Sequence, residues 1–344
     1  MPYRFSLKFS ALGAALLSGA LTLMAAAPSK AAVQRIDNGA LSQKLQIPLY
    51  QWQDDTNNDP RLIFIAIHGF TQQGGCFDVL ARTLAMRGYL VVAPDLRGHG
   101  RWTGSTGSTN TDFNVSCDDE SRLLKLLRKT YPKAAIFGMG ESAGCGVLMR
   151  AVINEPKNVK GIILCAAGVE PHLHKPGGMS KDFIIGMAKL VKPVDLTDYY
   201  TKYVSDDKRI CDEMVHDPLN RSHQSAINMM GTMNFISQMP MVAADVPRNI
   251  PVLFLQGEND QIVNPQSVSR VFDNIQTPDK DLVEIPGSGH ILLGTSFIKP
   301  IVMNDTLDWL GKHGGLPIAT TADASTVVTP QKPFSQKSKK KFHL

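Results

Sequence analysis

Between Ala134 and Met149 the chain reads Ala-Ala-Ile-Phe-Gly-Met-Gly-Glu-Ser-Ala-Gly-Cys-Gly-Val-Leu-Met. An apolar run of strand length passes through Gly140-Glu141-Ser142-Ala143-Gly144 into apolar residues at helical spacing. A strand that becomes a helix this abruptly brings two stretches of backbone together, and a Cβ on either side of the turn would collide, hence the flanking glycines. A buried strand feeding directly into a helix is the repeating unit of a parallel sheet with helices on its faces.

Five further β-rich runs carry the same rhythm: Leu62–Ile67, Tyr89–Ala93, Val159–Cys165, Val252–Gln256 and Leu282–Ile285, beside Ala134–Met139. Helical periodicity occupies Phe77–Arg87, Asp118–Thr130, Ala143–Asn154, Gln266–Ile275 and Ile298–His313. The expected fold is therefore α/β, a mainly parallel sheet with helices on both faces. From Gly168 to Arg248 no strong strand appears, and helical patterns at Lys181–Val191, Ser205–Met214 and Ser222–Met239 read as a cap over the C-terminal edge of the sheet, where open α/β folds bind ligands. The expected organisation is an export signal over 1–31, core over 32–167, cap over 168–248, core over 249–314 and a disordered Lys-rich tail over 315–344.

The formal charge of +5 is a property of the ends. Arg4, Lys8 and Lys30 at the start and Lys332, Lys337, Lys339, Lys340 and Lys341 at the finish are unaccompanied by acids, which leaves the body at −3. Such a body offers no basic face to nucleic acid. The basic start, the Ala/Leu-rich run from Ala11 to Ala27 and the small residues around Ser29-Lys30-Ala31 predict a cleaved signal peptide and a secreted or periplasmic protein. The five cysteines are odd in number and widely spaced, and Cys145 and Cys165 read as buried thiols. His172 and His174 lack a third ligand, so no metal site is expected.

The sharp turn projects Ser142 above the sheet and aims a helix N-terminus at it. A serine hydroxyl needs a base beside it. Two loops that follow strands offer partners, Asp260 after Pro251–Gly257 and His290 after Leu282–Gly289, in the chain order Ser…Asp…His. Glu258 competes as the acid, and His68 and His99 compete as the base, although both read as structural imidazoles. An oxyanion hole would take the N–H of Ala143 and that of Phe70.

The stretch from His68-Gly69-Phe70 through Arg87–Gly100 to Gly140–Gly144, Asp260 and His290 resembles the monoacylglycerol lipase/lysophospholipase branch of the α/β hydrolases, often grouped with the serine aminopeptidases. The likeness runs from about Leu62 to Trp309 and includes Asp212–Leu219 in the cap. It implies an esterase acting on a small acyl ester or lipid, a catalytic set of Ser142, Asp260 and His290, and no cofactor. Contact with a membrane surface and the oligomeric state stay open. Glu141-Ser142-Ala143 departs from the His-Ser-Met of those lipases and is similar to carboxylesterases. Eight of the fourteen methionines fall within 168–248; Met230 and Met233 are candidates for an acyl-chain groove. The rival readings are a serine aminopeptidase, with Glu170, Asp182, Asp207 or Asp212 binding an amine, and a non-catalytic binding protein on the same scaffold.

Overall fold

The computed structural model describes residues 32–55, 59–106, 108–171 and 193–314. Segments 1–31 and 315–344 lie outside them, as do His172, His174, Met179, Asp182, Met187 and the helix expected over 181–191.

The strands are β1 (Val33–Asp37), β2 (Leu49–Asp54), β3 (Leu62–Ile67), β4 (Tyr89–Pro94), β5 (Ala135–Glu141), β6 (Gly161–Cys165), β7 (Val194–Asp195), β8 (His223–Gln224), β9 (Val252–Gly257) and β10 (Lys280–Ile285). All but β7 and β8 form one sheet in the order β1-β2-β4-β3-β5-β6-β9-β10. From β4 to β10 every pairing is parallel. β3, β4 and β9 are buried along their whole length, as a sheet covered on both faces requires. Alternation within β3 sorts the core into two layers: Ile63, Ile65 and Ile67 face one, Phe64 and Ala66 the other.

The helices are α1 (Ala40–Leu45), α2 (Asp78–Ala85), α3 (Trp102–Thr106), α4 (Phe113–Thr130), α5 (Ala143–Asn154), α6 (Thr197–Tyr203), α7 (Lys208–His216), α8 (Ala226–Ser237), α9 (Met239–Ala244), α10 (Val268–Asn274) and α11 (Pro300–Gly314). Residues of α4, α5, α9 and α10 pack in the first layer, those of α2 and α11 in the second. α4 begins five residues before its apolar periodicity suggests. Asp112 caps it by accepting the Val115 N–H at 3.0 Å, and Phe113 stacks on Phe235 with ring centroids 4.5 Å apart.

Other elements were not expected from the sequence, among them the short helices α1 and α3. β1 and β2 add an antiparallel edge, β1 on β2 and β2 on β4. Their alternation is broken by polar residues that the fold itself covers: Gln51 is buried, and the Arg35 guanidinium lies over the Tyr50 ring at 4.7 Å. Between β6 and β9 the helical patterns become α7 and α8, but α6, α9 and the short β7–β8 pair were not foreseen.

β4 lies on one side of β3 and β5 on the other. The chain thus leaves the C-terminal ends of β3 and β5 in opposite senses, which makes this the switch point at which open α/β sheets place their ligand sites.

Candidate active site

Ser142 occupies this switch point. β5 ends at Glu141, α5 begins at Ala143, and Ser142 between them has φ 56° and ψ −122°. A residue other than glycine in this region costs about 1–3 kcal/mol and persists only where its surroundings enforce it. A Cβ on Gly140 would lie 2.5 Å from the Gly144 carbonyl oxygen, and one on Gly144 would run into the carbonyl oxygen of Ile67. The register Ile67↔Gly140 sets the loop after β3 beside the turn, so a Cβ on Gly69 would stand 3.1 Å from the Cβ of Ser142. As the first residue of α5, Ala143 has an N–H without an acceptor inside its own helix. Phe70 is half-buried, its ring 6.0 Å from that of His99.

The register Ile285↔Gly257 brings the loops after β9 and β10 together. They touch so closely that a Cβ on Gly257 would overlap the Gly289 carbonyl oxygen. Asp260 is buried. Its Oδ1 accepts the N–H groups of Ile262 and Val263 at 2.9 and 3.0 Å. Its Oδ2 accepts Gln256 Nε2–H at 3.0 Å and stands 2.8 Å from His290 Nδ1. An ionised carboxylate only accepts, so the proton belongs on Nδ1 and the Nε2 lone pair is free for other work. Burial pushes His290 toward the neutral form, but the charge and hydrogen bond of Asp260, with the charge of Glu141, raise its pKa above the ordinary imidazole value. Glu258 is exposed and accepts the Gly287 N–H at 3.1 Å. Asp260, not Glu258, therefore faces the imidazole.

The other two histidines hold loops. His68 Nδ1 donates to the Gly69 carbonyl at 2.8 Å while its Nε2 accepts the Leu96 N–H at 3.0 Å. Burial presses its pKa down to about 4. His99 is likewise buried, held low by burial, and bonded through Nδ1 to the Arg97 carbonyl at 3.1 Å.

Sequence reasoning missed the carboxylates that hold the His290 loop. Asp206 Oδ1 accepts the Gly289 N–H at 2.9 Å, and Glu213 takes the Ser296 N–H at 2.9 Å and the Thr295 hydroxyl at 2.5 Å. Glu141 takes three more N–H groups of the same loop. The one available signal was an acid inside an otherwise apolar motif. Of the acids considered for amine binding, Glu170 pairs with Arg270 at 2.6 Å, Asp207 caps α7 and pairs with Arg209 at 2.6 Å, and Asp212 is exposed. Met230 is 51% exposed, beside Ile227 at 71%, whereas Met229 is buried and Met233 half-buried. All five cysteines are unpaired, and Cys145 Sγ–H reaches the Gly140 carbonyl at 3.1 Å.

The sequence profile of the family described as "Serine aminopeptidase, S33" matches residues 58–295, which takes in the switch point and both loops. The chain belongs to this family. Over 266 residues this S33-family chain is 23% identical to the monoacylglycerol lipase of Mycolicibacterium smegmatis, covering 76% of its own length and 91% of that protein. Among solved structures it is similar to a thermostable carboxyl esterase from Bacillus coagulans in complex with glycerol (TM-score 0.64, 20% identity, 82% of this chain and 99% of that one). It is also similar to a soluble variant of monoglyceride lipase from Saccharomyces cerevisiae in complex with a substrate analog (TM-score 0.63, 19% identity, 83% and 96% covered). The fold is that of the α/β hydrolases, and this S33-family hydrolase stands in their monoacylglycerol-lipase-like branch.

Proposed function

We propose that this S33-family hydrolase cleaves carboxylic esters, of the monoacylglycerol or lysophospholipid type, through an acyl-enzyme on Ser142. The observation that carries the reading is the 2.8 Å approach of buried Asp260 to His290, on the same sheet rim as the strained Ser142 turn. In the forward step Ser142 Oγ attacks the acyl carbon and His290 Nε2 takes its proton. The oxyanion draws the N–H groups of Ala143 and Phe70, and collapse of the intermediate expels the alcohol, which leaves with the proton from His290. Water, deprotonated by the same imidazole, then releases the acid and restores Ser142. No cofactor enters.

An ester rather than an amino-terminal peptide is supported by the acids between β6 and β9, two of which already hold arginine partners. Met230 and Met233 on α8 are proposed to contact the acyl chain, since flexible thioethers suit ligands of variable shape. The basic, apolar first 31 residues support export. The deciding experiment pairs a series of acyl esters with aminoacyl amides, and a fluorophosphonate probe with Ser142→Ala and His290→Ala. Ester turnover, labelling that vanishes in Ser142→Ala and turnover lost in both variants are expected. Preferential amide cleavage, or labelling that persists in Ser142→Ala, would refute the reading.

A further inference from the structure

We infer that Glu141 is a positioning residue for the reaction: by binding the backbone of residues 292–294 it holds the His290 loop in place over Ser142. Glu141 immediately precedes Ser142 and ends β5, whereas His290 follows β10, and β6 and β9 lie between these strands. Three strand spacings of ~4.8 Å amount to about 14 Å that the loop must cross to bring an imidazole to the serine. Glu141 terminates that crossing. Its Oε1 accepts the N–H groups of Leu292 and Leu293 at 2.8 and 2.9 Å, and its Oε2 accepts that of Gly294 at 2.9 Å. The carboxylate is wholly buried. Gln72, from the loop after β3, closes the other side by donating Nε2–H to the Gly294 carbonyl at 2.9 Å. A Cβ on Gly294 would collide with Glu141 Oε2, so the grip also requires glycine at that position.

Further hold comes from the loop after β9, where Glu258 accepts the Gly287 N–H and the Asn259 N–H donates to the Ser288 carbonyl at 2.9 Å, and from the segment between β6 and β9. The Val204 carbonyl accepts the His290 and Ile291 N–H groups at 3.1 and 3.3 Å, and Asp206 takes Gly289 while paired with Lys299 at 2.9 Å. Through Glu141 the imidazole's loop is bonded to the residue directly before Ser142. Asp260 and Glu141 are the carboxylates whose charges act on His290, both favouring the imidazolium. Burial raises Glu141 itself, against the opposing pull of the three N–H groups and of His290.

The inference rests on His290 serving as the base, and its test separates the two. Glu141→Gln keeps the shape but sets an amide –NH₂ against one or more backbone N–H donors and removes the charge. On a medium-chain monoester, kcat is expected to fall about ten- to hundredfold, the scale on which small misplacements act, while KM stays within about twofold and the variant melts cooperatively. The acid limb of the pH profile should move to lower pH, which a purely structural defect would not produce. Gly294→Ala disturbs the same contact without changing charge and should lower kcat with the limb unmoved. If Glu141→Gln does not fold, Gly294→Ala and Glu141→Asp carry the test, and wild-type kcat in either overturns the inference. A folded Glu141→Gln with wild-type kcat and an unmoved limb overturns it too, as does a loss of activity no larger than the unfolded fraction. If His290→Ala keeps full turnover, the base assignment itself fails; if His290→Ala is dead while Glu141→Gln is normal, only the positioning role falls.

Discussion

Asp260 and His290 meet through a single oxygen: Oδ2 stands 2.8 Å from Nδ1, while Oδ1 is occupied by the Ile262 and Val263 N–H groups. This division of labour decides what an asparagine would do. In Asp260→Asn the two backbone N–H groups at the Oδ1 position cannot turn and so keep the amide oxygen there, whereas the Gln256 side-chain amide at the other position can rotate to present its unpartnered oxygen, which leaves the –NH₂ facing His290. Nδ1 must then accept, the proton moves to Nε2, and the imidazole can no longer take a proton from Ser142. We expect kcat to fall by ~10⁴ with little change in KM, read by steady-state ester hydrolysis. Glu258→Gln, at an exposed loop position, should stay within about threefold of wild type on the same scale of surface effects. A Glu258→Gln loss larger than that of Asp260→Asn would reverse the assignment of the acid.

The pH profile carries its own sign. The proposed base, His290, would work when neutral, and Asp260 and Glu141 hold its pKa above the ordinary value. kcat/KM should therefore rise with pH through an apparent pKa above ~6.5 and level off beyond it. A limb centred below that value would mean that burial dominates the imidazole.

Two glycines should respond to alanine in opposite directions. In Gly144→Ala the new Cβ meets the Ile67 carbonyl, a backbone atom inside the sheet that cannot rotate away. A loss of about 1–3 kcal/mol or more is expected. Gly231, within α8, is exposed and has nothing within 4 Å of its Cβ position, so Gly231→Ala should add about 0.5–1 kcal/mol from helix propensity alone. Denaturant midpoints compared with wild type measure both.

Met230 gives a clean test of the acyl-chain proposal because it is half exposed. Met230→Lys should alter stability by no more than about 0.5 kcal/mol, so a change in turnover reports on substrate contact. Activity is expected to rise several-fold per two carbons from acetyl toward medium-chain esters, since each buried CH₂ contributes up to ~0.8 kcal/mol. The variant should lose the medium-chain gain and keep acetyl turnover. Equal rates across chain length, or equal losses on every ester, would remove α8 from the substrate path.

Export is tested by the mature N-terminus. Cleavage after Ala31 should leave Ala32 as the first residue of protein recovered outside the cytosol, read by N-terminal sequencing. Soluble cytosolic protein that retains Met1 would contradict it.

Elements whose character is local were legible in the amino-acid order. The apolar runs of β3, β4, β5, β6 and β9 are legible because a strand buried on both faces needs little else. The Gly140–Gly144 turn is legible because two backbones pass where no Cβ fits. The order of Ser142, Asp260 and His290 along strand-following loops was likewise readable, since parallel strands deliver those loops to one rim. Contacts between distant positions emerged with the folded arrangement. It added β1 and β2, whose polar residues are covered only once Arg35, Tyr50 and Trp52 stack. It turned Asp260 rather than Glu258 toward His290, left Met230 half exposed, and set Glu141 on the N–H groups of a loop some 150 residues further along the chain. Each of these depends on which backbone N–H or side chain arrives from elsewhere in the fold, and neither periodicity nor composition encodes that arrival.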